Sequence, residues 1–542
     1  MMNLALIHEA IAEVIPEREC IVFRDRRFSW SEVTDRTRRL ADLLRAHDLG
    51  CRRERAGLRG WESGQDHVAL YLHNGNEYLE GMLGAFKARC VPFNVNYRYV
   101  EEELLYLFEN ADARAVIYHA AFAPMLEKIR DQIPQTRLLI QVEDGSGNAL
   151  LEGALDYEKA LGAATPAPLP EDLSADDLYI LYTGGTTGMP KGVLWRQEEI
   201  FYSALSSKLP PSLASIQERA KSGSGIRSLP APPFMHGAAH WVAFNMWHVG
   251  GTVLVQSEVE RLNPDDIWST LEREEGNTLA IVGDAFARPL IDQLRAKQYD
   301  LSSLFMVTSG GAIFTASLKQ ELLDLLPDIR ILDALGSSES GAQATHVSTR
   351  ETGASTGTFD LGENNLVLSE DLSRILEPGS DERGWLAREG RMPLGYYKDE
   401  AKTLQTFPTV AGVRYSVPGD RAWLAQDGRL RLLGRDSVTI NSGGEKIFAE
   451  EVELALKHHA GVYDCVVCGT PSERWGSQVT AIVQLRAGEE VSEEELCATA
   501  NEHITRYKLP KVFVFVEKIV RAPSGKADYR WARQIASEAL GL

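Results

Sequence analysis

Thr183-Gly184-Gly185-Thr186-Thr187-Gly188-Met189-Pro190-Lys191 sets three glycines, three threonine hydroxyls and a lysine in one short stretch, directly after the apolar run Leu178-Tyr-Ile-Leu-Tyr182. Glycines let backbone N–H groups converge on an anion, and the hydroxyls and ammonium add donors and charge. A loop of this composition at the end of a strand is suited to gripping phosphates. An ordinary turn would explain the glycines but not the clustered hydroxyls and the terminal lysine. The spacing is not that of a Walker A loop, because Met189 and Pro190 separate Gly188 from Lys191 and Gly192 follows.

Working outward, short apolar runs alternate with helix-like segments. Strands are expected at His67 to Leu72, Val91 to Val95, Ala115 to Tyr118 and Leu138 to Gln141, with helices through Asn76 to Arg89, Val100 to Asn110 and Phe122 to Ile133. This rhythm predicts an α/β fold with mostly parallel sheets in a large, multi-layered N-terminal domain. Ser206 to Ser228, rich in Ser, Pro, Gly and charge, reads as an exposed excursion. Near Gly434 a second, smaller α/β pattern begins. It has a helix near Ala449 to His458, strands near Tyr463 to Cys468 and Val479 to Leu485, a helix near Glu493 to Ile504 and a last strand at Val512 to Val516. The expected division is therefore 1–433, a hinge at 434–438, and a mobile C-terminal lid at 439–542.

The 542 residues carry a formal charge of −20, with 57 basic and 77 acidic side chains. Such a chain repels nucleic acid and anionic membranes, and no basic patch stands out against that field. Any anionic substrate must be held by local cations or a metal. Cysteines at 20, 51, 90, 465, 468 and 497 are scattered, as for free thiols in a reducing compartment. Cys465-x-x-Cys468 lies in a buried-strand pattern, and no second pair completes a zinc site. The N-terminal stretch has an amphipathic period rather than a basic start and apolar block, and no apolar run is long enough to span a bilayer. The expected location is the cytoplasm.

Further motifs follow in order: Pro232-Pro-Phe-Met-His236-Gly, Ser309-Gly310-Gly311-Ala312, Gly336-Ser337-Ser338-Glu339, Pro418-Gly-Asp420, Gly434-Arg435, Gly443-Gly444-Glu445-Lys446-Ile447 and Pro523-Ser-Gly-Lys526. Together with the phosphate loop they resemble the adenylate-forming superfamily of acyl-CoA synthetases, luciferases and peptide-synthetase adenylation domains. The likeness runs along nearly the whole chain. Gly336 to Ser340 is not a nucleophile elbow, because Ser340 stands where the last glycine is required. His236 and His240 have the spacing of two zinc ligands, yet Gly237 stands where a zincin needs Glu.

The resemblance implies an ATP-dependent acyl-CoA ligase that forms an acyl-adenylate. Lys526 matches the catalytic lysine, whose ammonium would stabilise charge developing at the α-phosphate. Glu339 matches a ligand of Mg²⁺ bridging ATP phosphates. His236 matches the histidine between the ATP and acyl sites, with Trp241, Phe244 and Trp247 either lining an acyl pocket or packing the core. Thr183 to Gly188 and Lys191 would hold phosphates. Gly310, Gly311 and Ala312 would let adenine lie on bare backbone, and Gly336, Ser337 and Ser338 would flank the nucleotide. Asp420 and Arg435 would bind the ribose. Gly443, Gly444 and Lys446 would belong to a CoA-binding face brought in by rotation of the lid. The implied partners are a small-molecule carboxylic acid, ATP and CoA, with a homodimer as the candidate assembly.

Four positions depart from the family pattern: Leu335 for tyrosine, Ser338 for threonine, Ser437 at the hinge, and Trp385 at an acidic position. No aspartate occurs between Pro232 and Trp241 to bind an α-amino group, which argues against an amino-acid substrate. Gly60 to Asp66 and Asn94 to Leu104 are similar to fatty-acid and sterol-side-chain CoA ligases, which implies a medium-chain or bulkier hydrophobic acid. Delivery to a carrier protein or another nucleophile is the alternative to CoA. A catalytically dead binding protein should have lost Lys526 or Glu339, and both are present.

Overall fold

The computed structural model describes residues 1–184, 189–206, 212–442 and 445–542. Four sheets organise the chain. In the longest, Glu19–Phe23, Thr252–Val255, Arg227–Pro230, Thr278–Ile281, Met306–Gly310 and Arg330–Ser337 lie side by side in parallel register. Helices cover this part; Leu229, Trp268, Leu279, Val307 and Ile331 are buried within one cluster. Burial on both faces is why these strands read as continuous apolar runs.

A second parallel sheet runs Val91–Asn94, His67–Tyr71, Ala113–His119, Leu138–Val142 and Leu155–Asp156. The alternation legible in the sequence produces this sheet, with strand ends shifted by only one or two residues. After Arg330–Ser337 the long sheet turns antiparallel, through Gly341–Ser348, Thr358–Leu361, Leu430–Arg435, Asp420–Leu424 and Gly384–Glu389. The architecture is thus α/β with a mixed sheet, and its antiparallel half carries several of the site motifs.

The third sheet holds the two strands that flank the Thr183 to Lys191 motif. Leu178–Thr183 pairs antiparallel with Lys191–Arg196, with Thr183 opposite Lys191, and Gly395–Tyr396 adds on the other side of Lys191–Arg196. The loop therefore closes a hairpin, whereas a Walker A loop leads from a strand into a helix. Its central residues, Gly185, Thr186, Thr187 and Gly188, lie outside the described residues.

The fourth sheet, Glu445–Phe448, Thr439–Ser442, Gly476–Leu485, Val462–Ser472 and Val512–Phe515, belongs wholly to the C-terminal part. Its core includes Ile447, Val467, Ala481 and Leu496. Cys465 and Cys468 sit on the long strand opposite Val483 and Thr480, buried and unpaired, so their spacing serves packing.

One reading of the sequence needs correction, and one element went unnamed in it. Within Ser206 to Ser228, outside 207–211, the chain forms helix Leu213–Ser222, which buries Ile216 and Ala220 and donates from Gln217 Nε2 to Ala10 O at 3.0 Å. Its polar composition hid a narrow apolar stripe at i, i+4. The chain also continues past Lys526 into helix Tyr529–Leu540, N-capped by Asp528 and buried along Ala532 and Ala536. Small alanines gave that stripe little hydrophobic signal. No helix among the described residues is long and apolar enough to cross a membrane.

Candidate active site

The site residues come from turns at strand ends. Gly310 ends its strand, and Gly311 adopts φ +89°, a left-handed conformation that favours glycine. A Cβ on Gly311 would lie 3.5 Å from Cε of Lys526, so the C-terminal part brings this lysine directly over that backbone. Ala312 follows, partly packed against the parallel-sheet core.

Gly336 and Ser337 close the strand Arg330–Ser337, and Ser338 and Glu339 form the turn into Gly341–Ser348. Gly336 has no room for a side chain, because a Cβ would sit 2.4 Å from Gly341 O. The turn is pinned from outside. Trp195 Nε1 donates to Ser338 O at 2.8 Å, Ser416 Oγ to Glu339 O at 2.6 Å, and Ser337 Oγ and Ser340 Oγ share a hydrogen bond of 2.7 Å. Glu339 Oε1 accepts from Tyr396 OH at 2.8 Å. This bond fixes the carboxylate through Oε1, and among the described residues Oε2 accepts no hydrogen bond, so it could hold a cation.

Asp420 and Arg435 are cross-strand partners, and Arg435 Nε donates to Asp420 Oδ1 at 3.1 Å. The adjacent carboxylate raises the Arg435 pKa, so its guanidinium stays charged. Asp420 keeps acceptor capacity for hydroxyls beyond that bond.

Lys526 projects into the cleft between the two parts of the chain and keeps solvent contact. Partial desolvation by the surrounding walls, then Arg435, lower its pKa to about 8, while Glu339 and Asp420 pull the other way. Three motifs outside its own loop thus act on one ammonium. Its loop is held from within, Ala522 N donating to Lys526 O at 3.0 Å.

His236 caps helix Gly237–Trp247. Burial and then Lys526 lower its pKa to about 3, so it is neutral, and its buried Nε2 finds no partner among the described residues. His240, one turn on, engages both ring nitrogens, with Phe234 O at 2.7 Å and with Tyr179 OH. Of the three aromatics beside it, Phe244 and Trp247 pack in the core, Trp247 Nε1 donating to Cys20 O at 3.1 Å. Trp241 alone is partly exposed, its ring against Gly237 and its Nε1 donating to Tyr179 OH at 2.8 Å.

Two expected positions stand apart from the Lys526 cluster. Lys191 forms an ion pair with Asp399, which also caps the helix Glu400–Thr406 by accepting from Lys402 N. Lys446 Nζ lies 3.5 Å from Glu370 Oε1, at the exposed end of strand Glu445–Phe448, which pairs with Thr439–Ser442. Gly443 and Gly444 lie outside the described residues. Trp385 acquires a physical role: the Arg421 guanidinium lies 4.1 Å over its ring, and its Nε1 donates to Glu370 O at 3.0 Å. The cation–π contact replaces the carboxylate expected at that position.

Sequence reasoning missed Tyr396, Asp399 and Asn94. Asn94 Nδ2 donates to Tyr182 O and Met235 O, both at 2.8 Å, and its Oδ1 accepts from Tyr182 N at 2.7 Å. One amide thus ties the phosphate-loop strand to the His236 segment. Its position at the end of a parallel strand, where ligand sites gather, was the available signal.

The family pattern described as AMP-binding enzyme matches residues 8–384, and that of the AMP-binding enzyme C-terminal domain matches residues 451–526. The chain is similar to the medium-chain acyl-CoA ligase Mig of Mycobacterium avium, 51% identical over 536 residues and covering 98% of this chain and 97% of that protein. It is also similar to the 3-oxocholest-4-en-26-oate–CoA ligase of Rhodococcus rhodochrous, 41% identical over 548 residues, covering 98% and 95%. In fold it matches an anthranilate CoA ligase solved with anthranoyl-AMP, with TM-score 0.81 at 19% identity, covering 100% and 98% of the two chains. With both patterns matched in order and the Lys526 loop docked against Gly311, the chain belongs to the AMP-binding enzyme family.

Proposed function

We propose that this chain is an acyl-CoA ligase that activates a hydrophobic carboxylic acid with ATP and passes the acyl group to CoA. The carboxylate oxygen attacks the α-phosphorus, the bond to the pyrophosphate oxygen breaks, and acyl-AMP and pyrophosphate form. The CoA thiol, losing its proton, then attacks the acyl carbon and AMP departs. The observation that carries this reading is Lys526 over Gly311, electrostatically coupled to Arg435, Glu339 and Asp420. An ammonium already in place costs no reorganisation as charge builds on the α-phosphate. Asp420 and Arg435 would orient the ribose, and neutral His236 would stand between nucleotide and acyl group without adding charge.

Mg²⁺ would fit Oε2 of Glu339, which accepts no hydrogen bond among the described residues and is a hard oxygen of the kind that ion takes alongside phosphates, and would neutralise phosphate charge there. The relatives' medium-chain and sterol side-chain acids support a medium-chain or bulkier substrate. Residues 434–438 would be the hinge, since the C-terminal sheet begins at Thr439. Rotation there would exchange Lys526 for the face bearing Gly443, Gly444 and Lys446. The reading extends to a cytoplasmic enzyme, whose six free thiols suit a reducing compartment, and to a homodimer, which analytical ultracentrifugation tests.

A panel of carboxylic acids, scored separately for ATP–pyrophosphate exchange and for CoA thioester, tests the whole. Exchange and thioester should both peak on medium-chain or bulkier apolar acids. Exchange without thioester would overturn the CoA step, and Lys526→Ala retaining near-normal exchange would overturn the assignment of the lysine.

A further inference from the structure

The lid meets the large domain through the first turns of helix Gly283–Ala296. Asp284 and Arg288, one turn apart, are both buried there. The Arg288 guanidinium lies 4.9 Å over the Tyr463 ring of the lid. Gly525 approaches so closely that a Cβ on it would sit 3.0 Å from Val282 O.

Within this contact runs a chain of charges. Asp284 is fixed on its own side, Oδ1 accepting from Thr315 N at 2.8 Å and from Thr315 Oγ1 at 3.1 Å. Its Oδ2 faces Lys457 Nζ of the lid at 3.2 Å, with the two side chains only 6% and 8% exposed. Lys457 Nζ lies 3.1 Å from Asp464 Oδ1. Arg521 grips Asp464 with two hydrogen bonds of 2.7 Å, and its remaining terminal nitrogen donates to Gly525 O at 3.3 Å. Gly525 immediately precedes Lys526. Five residues therefore link the large domain to the lysine loop without a gap.

Two carboxylates and two cations balance only when the lid is docked. With the lid swung away, Lys457, Asp464 and Arg521 remain together, but Asp284 loses the cation paired with its Oδ2, while Arg288, one turn along its own helix, stays nearby. Leaving one member of a buried pair uncompensated is costly, so partly docked poses are penalised. Burial alone would lower the Lys457 pKa, yet Asp464 and Asp284 hold it raised, so the Lys457 ammonium stays charged at neutral pH.

We infer that Asp284 and Lys457 form an inter-domain latch that positions Lys526 for adenylate formation and must open before the acyl group passes to the thiol. Both are positioning residues, since neither touches the reacting atoms. The inference rests on the assignment of Lys526 to the first half-reaction.

Asp284→Asn removes the charge facing Lys457 but keeps an acceptor for Thr315, and it leaves the lid's own network intact. It should slow ATP–pyrophosphate exchange by on the order of 10- to 100-fold through kcat, the scale for a misplaced catalytic group, with KM for ATP changed less than about twofold. Thioester formation from preformed acyl-adenylate and CoA should be unchanged or faster, because the latch must break for that step. Lys457→Met, made on the other domain, should show the same split, and the double variant should be no worse than the poorer single one. Equal losses in both half-reactions, unaltered exchange, or additive losses in the double variant would overturn the latch. Lys526→Ala, assayed alongside, separates the failures: if it retains exchange, the site assignment falls; if it abolishes exchange while Asp284→Asn does not slow it, only the latch falls.

Discussion

The pKa of Lys526, lowered to about 8 by desolvation and by Arg435, predicts a basic limb in the pH dependence of adenylate formation. The sign follows from the role. The protonated ammonium is the form that stabilises phosphate charge, so activity should be constant below about pH 8 and decline above it. With one proton at a pKa of about 8, the protonated fraction is about 0.9 at pH 7 and about 0.1 at pH 9, so kcat/KM for ATP should fall roughly tenfold between them. This parameter reports the free enzyme, which is the state whose electrostatics are described; bound ATP would raise the lysine pKa and move the limb in kcat to higher pH. The assay is initial-rate pyrophosphate exchange from pH 6.5 to 10 with a saturating acid. Lys526→Arg supplies a cation that does not titrate in this range, so its plateau should be lower but its limb absent. A wild-type profile flat to pH 10, or a limb persisting in Lys526→Arg, would refute the assignment. In the second case Glu450 is the first alternative, because burial and then Glu453 push its carboxyl up to about 8 beside the hinge.

Glu450 makes its own prediction. Its Oε2 is buried without a partner among the described residues and crowds Gly434, where a Cβ would lie 2.6 Å away. A carboxyl with a raised folded-state pKa contributes stability that is full below about pH 4.5 and lost as the pH rises through about 8. Glu450→Gln should flatten that part of the pH–stability curve, melting below wild type near pH 5 or equal to it, and above it at pH 9 by calorimetry; parallel curves would contradict this. Tyr396→Phe removes the hydroxyl that donates to Glu339 at 2.8 Å and should weaken Mg²⁺-dependent ATP binding by about 1 kcal/mol, roughly fivefold, in a titration of exchange activity against Mg²⁺. An unchanged Mg²⁺ dependence would show that Glu339 needs no such anchor.

Much of the site was legible in the chain because its chemistry is concentrated in short motifs. Thr183 to Lys191, Glu339, Asp420, Arg435 and Lys526 each belong to a short motif that its glycines mark in the sequence. Tyr396 was not legible, because nothing in Gly395-Tyr-Tyr separates a hydroxyl aimed at Glu339 from a buried ring. Tyr397, its neighbour, donates to Asp112 instead, at 2.7 Å, and only the alternation of faces along the chain divides the two. Phe244 and Trp247 carried the opposite ambiguity: as residues they suited a pocket, and packing made them core.

By itself the sequence determined the α/β alternation, the two-part organisation and the set of motifs, because apolar periodicity and turn residues act over a few neighbours. It did not determine which lysine stands where. Lys191, Lys446, Lys457 and Lys526 all carry the same charge on the same flexible stem. Tertiary structure gives Lys191 to Asp399, Lys446 to Glu370, Lys457 to the buried pair Asp284 and Asp464, and Lys526 to the cleft over Gly311. The physical reason is that a cation's role is set by the carboxylates and the dielectric around it, and those come from residues up to hundreds of positions away. The motif at Thr183 to Lys191 pointed to the chemistry, and only the tertiary structure set Lys526, rather than another lysine, over Gly311.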